Sequence, residues 1–103
     1  MQPIIEQRLP QVKRLCRRFH VRRLELFGSA ARDDFDPERS DFDFLVEFDR
    51  RHPETLSLRT YFGLKEGLEA LFGRSVDPVE PGAIRHPFLK RSINSSREIV
   101  FEA

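Results

Sequence analysis

Two short polar segments in the first half of the chain contain the residue types that bind phosphates and divalent metal ions. The first is Gly28-Ser29, which follows the apolar residues Leu24, Leu26 and Phe27. A glycine between a strand and a helix lets the backbone approach an anion closely, and the first amides of the helix are unpaired donors. We therefore expect this turn to hold a phosphate, with the Ser29 hydroxyl as a further donor.

Arg32 lies one helical turn beyond Ser29, within reach of the same anion or of a neighbouring carboxylate. A simpler interpretation of the turn stays open, in which Ser29 is only the N-cap of the following helix. The Gly-Ser pair by itself does not decide between these two interpretations.

Asp41 and Asp43 form the second segment, in the sequence Ser40-Asp41-Phe42-Asp43. Alternate residues of a strand project from one face, so both carboxylates would lie side by side while Phe42 faces the core. Neighbouring carboxylates repel each other unless a cation neutralises them, which favours a hard, oxygen-binding ion such as Mg²⁺. The alternative is a solvent-facing strand with an acidic outer face, although Leu45 on that face suggests that it is covered.

The remaining pattern predicts the elements that position these residues. Apolar residues at helical spacing predict a helix from Pro10 to Phe19, and Arg22 to Phe27 alternates as a strand. A short helix would begin at Ala30. After a polar loop, Phe42 to Phe48 predicts a second strand.

The second half of the chain continues this alternation. Leu58 to Phe72 predicts a helix that Gly73 ends as a left-handed cap, and Ser75 to Val79 predicts a third strand. A further helix would begin near Pro87, before an extended tail at Ile99 to Phe101. We therefore expect one α/β (α+β) domain over residues 1–103, with a small mixed β-sheet packed by helices.

Composition limits the class of protein. The formal net charge is +1, with 34% charged and 39% hydrophobic residues. A cluster of basic residues between Lys13 and Arg23 is interpreted as a solvated helix face, so direct nucleic-acid binding is not expected. The single cysteine, Cys16, and the lack of a long apolar run predict a cytoplasmic protein without a membrane span.

The combination of Gly28-Ser-x-x-Arg32 with Ser40-Asp41-x-Asp43 resembles the DNA polymerase β-like nucleotidyltransferase superfamily. More narrowly, the chain resembles the small MNT-type (minimal nucleotidyltransferase) antitoxin domains. The likeness extends from the first helix through Leu68-x-x-Leu71-Phe72-Gly73-Arg74-x-Val76-Asp77 to Arg97-Glu98-Ile99-Val100.

The resemblance implies Mg²⁺-dependent transfer of a nucleoside monophosphate from a nucleoside triphosphate such as ATP, in a site that holds two metal ions. It assigns phosphate binding to Gly28 and Ser29, with Arg32 and Ser40 beside them. It assigns catalysis and metal binding to Asp41, Asp43 and Asp77. The acceptor that it implies is a HEPN-type toxin, which adenylylation silences.

Two positions depart from the pattern of that family. Asp33 follows Arg32 where glycine is frequent, and Pro78 follows Asp77 where an apolar residue is common. Proline lacks the donor that a central strand needs, so we expect an edge strand or a strand end, with Asp77 at its last regular position. Glu80 is the alternative acid.

The other candidate sites are weaker. His20, His52 and His86 are far apart in the sequence without ligand-like neighbours, so no zinc site is expected. The absence of a Gly-Lys-Ser/Thr loop excludes a P-loop NTPase. Tyr61 is expected in the core, with its hydroxyl at the rim.

Two functional hypotheses follow. The first is an adenylyltransferase antitoxin that modifies its toxin. The second is a non-catalytic antitoxin that neutralises the toxin by binding it and keeps the nucleotide site only for binding or for shape. Both predict a stable complex, and only catalysis separates them.

Overall fold

The computed structural model of the chain describes residues 2–28, 42–83 and 97–103. The described helices are α1 (Pro3–Gln7), α2 (Leu9–Arg18) and α3 (Leu58–Phe72), and the strands are β1 (Val21–Phe27), β2 (Phe42–Phe48), β3 (Val76–Val79) and β4 (Arg97–Glu102). Short 3₁₀ turns at Pro53–Leu56 and Pro81–Ala83 precede α3 and follow β3. The helices predicted to begin at Ala30 and near Pro87 lie outside the described residues.

The four strands form one mixed sheet in the order β3-β2-β1-β4. β1 pairs antiparallel with both β2 and β4, whereas β2 and β3 are parallel and are joined through α3. A parallel pair needs a crossover connection, which α3 supplies. The predicted mixed sheet packed by helices is therefore confirmed.

The main core lies between one face of the sheet and helices α2 and α3. Alternate strand residues supply the sheet side of this core, and the helices supply Val12, Cys16, Leu64 and Leu68. The buried strand residues include Leu24, Leu26, Phe42, Phe44 and Val46. Because residues two apart share a face, Glu25, Phe27, Asp43 and Leu45 all lie on the opposite face.

Helix α3 packs closely on α2 through its glycines. A Cβ atom at Gly63 would lie 2.7 Å from Cε1 of Phe19, and one at Gly67 would lie 2.8 Å from Cδ2 of Leu15. The helix ends as predicted, with Gly73 in the left-handed region at φ 65°. Not every apolar residue of the predicted helix faces the core, because Leu58 is 73% and Phe62 is 49% exposed.

The edge position of β3 accounts for Pro78. The outer side of β3 has no partner strand among the described residues, so a missing N–H group on that side removes no ladder hydrogen bond. The predicted edge strand is confirmed. The expectation that Asp77 occupies its last regular position was wrong, because Pro78 and Val79 stay in register with Phe44 and Leu45.

Two features of the amino-terminal half complete the fold. The short helix α1, with Ile5 buried in the core, was not predicted. The predicted helix from Pro10 is α2, which begins one residue earlier. No described helix combines the length and the apolar composition that crossing a bilayer requires.

Candidate active site

Gly28 and Asp43 are in close contact where β1 ends beside the start of β2. Phe27 pairs with Asp43 across the two antiparallel strands, so Gly28 continues directly past the carboxylate. Gly28 has φ 73°, and a Cβ atom there would lie 2.8 Å from Oδ2 of Asp43. Only glycine suits both the left-handed backbone and this close approach.

Asp43 and Asp77 face each other across the parallel strands β2 and β3. They are register partners, so both side chains project from the face of the sheet opposite the helices. Asp43 is half-buried beneath the Gly28 turn, whereas Asp77 is exposed at the edge strand. Like charges directly opposite each other destabilise a sheet unless a cation lies between them.

An apolar floor lies beside the two carboxylates on the same face. Phe27 and Leu45 are buried there, and Val79 packs against them. This small cluster is separate from the main core. It confirms the inference, drawn from Leu45, that the surface beyond the acids is covered, and it keeps bulk water away from one side of the carboxylates.

The described donor set fits a hard divalent cation. Carboxylate oxygens are the protein ligands that Mg²⁺ prefers, and it usually binds through one or two of them together with substrate phosphates. Asp43 and Asp77 would supply such oxygens from adjacent strands. The other predicted site residues, Ser29, Arg32, Ser40 and Asp41, lie outside the described residues.

A sequence profile of the nucleotidyltransferase domain matches residues 10–100 of the chain. The chain belongs to the nucleotidyltransferase domain family. This match spans every described strand up to β4 and includes Gly28, Asp43 and Asp77. The resemblance inferred from the two polar segments is therefore confirmed at the level of the family.

Three similar proteins can be compared with the chain, one of them by sequence and two by fold. Protein adenylyltransferase MntA of Thermococcus cleftensis is 38% identical over 89 residues, which cover 86% of this chain and 82% of that protein. A structure named, provisionally, as a minimal nucleotidyltransferase has a TM-score of 0.71 and 31% identity, over 90% of this chain and 89% of the other.

The third is the MNT antitoxin in complex with a tri-AMPylated HEPN toxin of Shewanella oneidensis. It has a TM-score of 0.64 and 17% identity, over 96% of this chain and 73% of the matched chain. At that identity the likeness concerns the fold alone.

Tyr61 contacts the strand that bears Asp77. Its hydroxyl donates a hydrogen bond to the carbonyl oxygen of Pro78, the residue after Asp77. Burial raises the pKa of Tyr61 above its ordinary value, and the nearby charges of Asp77 and then Glu80 raise it further. The hydroxyl therefore stays protonated as a donor, and the predicted place of Tyr61 against the core with its hydroxyl at the rim is confirmed.

Glu80, the alternative acid, has a different partner. Its carboxylate forms an ion pair with Arg50, which also donates to the carbonyl oxygen of Thr55. Asp77, and not Glu80, is the register partner of Asp43. An open cleft of about 490 Å³ lies beside these residues, and its lining includes Leu58, Tyr61, Asp77 and Glu80.

Glu25 was missed as a residue of this face. It is only 4% exposed and forms ion pairs with Nε of Arg97 at 3.1 Å and with Nη1 of Arg23 at 3.7 Å. The contact with Arg97 joins β4 to β1 next to Phe27, whereas Arg23 lies on β1 itself. The alternation of residues along β1 could have indicated this position of Glu25, because Glu25 and Phe27 are two residues apart and must share a face.

The expectation that the histidines lack ligand-like neighbours was wrong for His20 and His52, which are far apart in the sequence but meet in the structure. His20 and His52 stack with their ring centroids 3.9 Å apart, and Glu54 lies against both. They meet because the turn after α2 packs on the loop after β2, where the Asp49 amide donates to the carbonyl oxygen of His20 at 2.8 Å. His86 lies outside the described residues.

Proposed function

We propose that the chain is an Mg²⁺-dependent protein adenylyltransferase that transfers AMP from ATP to a HEPN-type toxin, acting as the antitoxin of that pair. The observation that carries the proposal is the opposition of Asp43 and Asp77 beside the Gly28 turn. Membership of the nucleotidyltransferase family supports the class of reaction. The name of the Thermococcus relative and the AMPylated toxin complex support the choice of a protein acceptor.

The turn at Gly28 is the part of the site that binds the triphosphate. Its left-handed backbone carries the chain past Asp43 at a distance that only glycine allows, and a backbone without a side chain can also approach a phosphate closely. We assign further phosphate contacts to Ser29, Arg32 and Ser40. Arginine and hydroxyl donors are suited to this, since phosphate oxygens accept charge-assisted hydrogen bonds.

Asp41, Asp43 and Asp77 are the residues that would hold Mg²⁺. When bound, the metal would neutralise phosphate charge and lower the pKa of a coordinated hydroxyl group. Asp43, half-buried between the Gly28 turn and the apolar floor, is fixed more firmly than Asp77. Asp77 lies at the exposed edge, where an acceptor can approach it.

The transfer itself is a displacement at the α-phosphorus. The acceptor hydroxyl, which we take to be a tyrosine of the toxin, forms the new bond from oxygen to the α-phosphorus. The bond from that phosphorus to the oxygen bridging toward the β-phosphate breaks, and pyrophosphate leaves. The hydroxyl proton passes to a base, and we assign that role to Asp77.

The alternative function, a non-catalytic antitoxin, also has support in the structure. Leu56, Leu58 and Phe62 are exposed apolar side chains at the start of α3, near Asp77. Exposed apolar patches of this kind mark contact surfaces for partners. A partner surface is required both by an enzyme that modifies a protein and by an antitoxin that only covers one.

The experiment that tests the proposal combines the chain with Mg²⁺, ATP and the candidate toxin, followed by intact-mass measurement of the toxin. We expect a gain of one or more AMP groups with the wild type and none with D43N or D77N. If both variants and the wild type inhibit the toxin equally without any change of mass, the binding antitoxin is correct instead. We expect the reaction in the cytoplasm, where ATP and Mg²⁺ are present.

A further inference from the structure

We propose that His20, His52 and Glu54 form a second metal site, which binds a transition-metal dication such as Zn²⁺ and is distinct from the Mg²⁺ site at the aspartates. Their ligand atoms all lie within 4.8 Å of one another. Nε2 of His20 is 2.9 Å from Oε1 of Glu54, and Nδ1 of His52 is 3.8 Å from the same oxygen. Ligand atoms around a tetrahedral Zn²⁺ lie roughly 3.3 Å apart, given bonds of about 2.0–2.2 Å.

The backbone around this cluster is already arranged for it. His20 has φ 58° and is the only non-glycine residue with a positive φ in the part of the chain that the structure describes. A non-glycine residue in this region is uncommon, and such strain persists only where the surroundings hold it. Here the hydrogen bond from the Asp49 amide to the His20 carbonyl fixes the turn.

The loop that bears His52 and Glu54 is equally well ordered by hydrogen bonds. The Thr55 hydroxyl contacts the carbonyl oxygens of His52, at 2.7 Å, and of Asp49, at 3.2 Å. Thr55 is buried, so this loop is anchored in the protein. The three ligands therefore come from two segments held by hydrogen bonds. The rings of His20 and His52 are stacked, so they would have to turn to direct one nitrogen each at the same ion.

The type of ion follows from the donors. Two imidazoles and one carboxylate suit Zn²⁺, Ni²⁺, Co²⁺ or Cu²⁺, whereas Mg²⁺ prefers oxygen ligands alone. Asp49 stands behind the cluster, with Oδ2 at 3.9 Å from Nε2 of His52. This distance is longer than a hydrogen bond, so Asp49 would orient a metal-bound His52 only after the two side chains move closer together. Nη2 of Arg51 lies 2.7 Å from Oδ2 of Asp49 and holds that carboxylate in place, so Asp49 is not needed as a direct ligand of the ion.

The three side chains are partly exposed, so an ion in solution can reach them. They are also partly buried, which distinguishes them from side chains that extend freely into solvent. The side chains of His20, His52 and Glu54 are 30%, 44% and 52% exposed. Three protein ligands leave a fourth position for water or for a ligand from a partner. An ion here would join the turn after α2 to the segment that leads into α3, whose Tyr61 fixes the strand bearing Asp77.

The test is a titration of the untagged chain with ZnCl₂, followed by isothermal calorimetry and by the midpoint of thermal unfolding. We expect one Zn²⁺ per chain and a higher midpoint, with no comparable effect of MgCl₂ in the absence of nucleotide. H20Q, H52Q and E54Q should each weaken binding by about 100-fold or more, since the loss of a mere outer-shell partner costs ~10–100-fold.

Two control variants make the result specific. H86Q removes the remaining histidine and should bind Zn²⁺ as the wild type does. D43N should also bind Zn²⁺ normally, which separates this site from the proposed catalytic one. Cys16 does not compete, because it is buried and its pKa is raised to about 12.

X-ray absorption of the wild-type chain with Zn²⁺ identifies the ligands without any substitution. The proposal can therefore be tested even if one of the variants fails to fold. Two imidazoles in the zinc shell are expected. The proposal is overturned if the wild type binds no Zn²⁺ at tenfold excess, if H20Q and H52Q bind it undiminished while folded, or if the shell contains no imidazole.

Discussion

Gly28 lies so close to Asp43 that a single added carbon atom at the glycine would come within 2.8 Å of the carboxylate. The backbone of one strand end therefore forms a wall of the site, and the carboxylate of the next strand rests against it. Because of this contact, the two polar segments of the sequence belong to one site. Replacing Gly28 with alanine, which adds that carbon atom, tests the contact.

Gly28→Ala is expected to remove AMP transfer and to lower the free energy of unfolding by about 1–2 kcal/mol, the cost of a left-handed backbone without glycine. The methyl group must also displace Asp43. Denaturant unfolding and the rate of transfer per folded molecule are the measurements.

Gly73→Ala is the matched control, because Gly73 has φ 65° with nothing within 4 Å of its would-be Cβ. It should lose similar stability and keep its transfer rate. Equal loss of activity in the two variants would mean that the effect of Gly28→Ala comes from strain alone.

Asp77→Asn is expected to lower the rate of AMP transfer by about 100-fold or more, because a metal ligand is worth several kcal/mol in the transition state. The free energy of unfolding should change by no more than about 0.5 kcal/mol, since Asp77 is exposed. A radiolabelled-ATP transfer assay measures the first and denaturant unfolding the second.

Glu80→Gln tests the alternative acid. Glu80 pairs with Arg50 and does not face Asp43, so this variant should keep most of the activity. If Glu80→Gln lowered the rate as much as Asp77→Asn does, the assignment of the third acid to Asp77 rather than to Glu80 would be wrong.

Tyr61 is expected to ionise above its ordinary pKa of 10.0, because burial and the charges of Asp77 and Glu80 oppose the phenolate. It is the only tyrosine, and the chain has no tryptophan, so tyrosinate absorbance reports this group directly. Asp77→Asn should move the midpoint part of the way back, since burial, the larger cause, remains. If the midpoint does not move in Asp77→Asn, the charge of Asp77 has no influence on the pKa of Tyr61.

The raised pKa also predicts how stability depends on pH. The protonated hydroxyl is favoured in the folded state, so its contribution is complete below about pH 10 and is lost as the pH rises through the folded-state pKa. Tyr61→Phe should lose about 1 kcal/mol at neutral pH, the net worth of one hydrogen bond. Its stability should then fall less than that of the wild type between neutral and alkaline pH.

Cys16 is expected to resist thiol reagents in the folded protein. Burial raises its pKa from 9.0 to about 12, which lowers the thiolate fraction near neutral pH by roughly a thousandfold. Alkylation should be slow in buffer and fast in denaturant, with the mass of the chain as readout. Fast labelling in buffer would mean that α2 opens readily from the sheet.

Much of the fold was predictable because its patterns are local. The bounds of β2 follow from a run of alternating residues, and the end of α3 follows from Gly73. The edge position of β3 followed from Pro78, since a proline in a strand restricts where that strand can lie.

The features that were not predicted depend on contacts between distant segments. Nothing near His20 in the sequence indicates that its backbone turns left-handed and brings its ring onto His52. Leu58 and Phe62 fit a helical spacing, yet α3 buries a different stripe because its glycines set the face that meets α2. The pairing of Asp43 with Asp77 likewise needed a strand register that only the assembled sheet supplies.

The position of β4 has a consequence for how the chain folds. β4 is last in the sequence but pairs with β1, so Arg23 and Glu102 meet across nearly the whole chain. Closing so long a loop carries a large entropic cost, and such contacts form late. During synthesis this edge of β1 therefore stays unpaired until β4 has been made. In that interval the unpaired edge of β1 is open to incorrect pairing with another molecule.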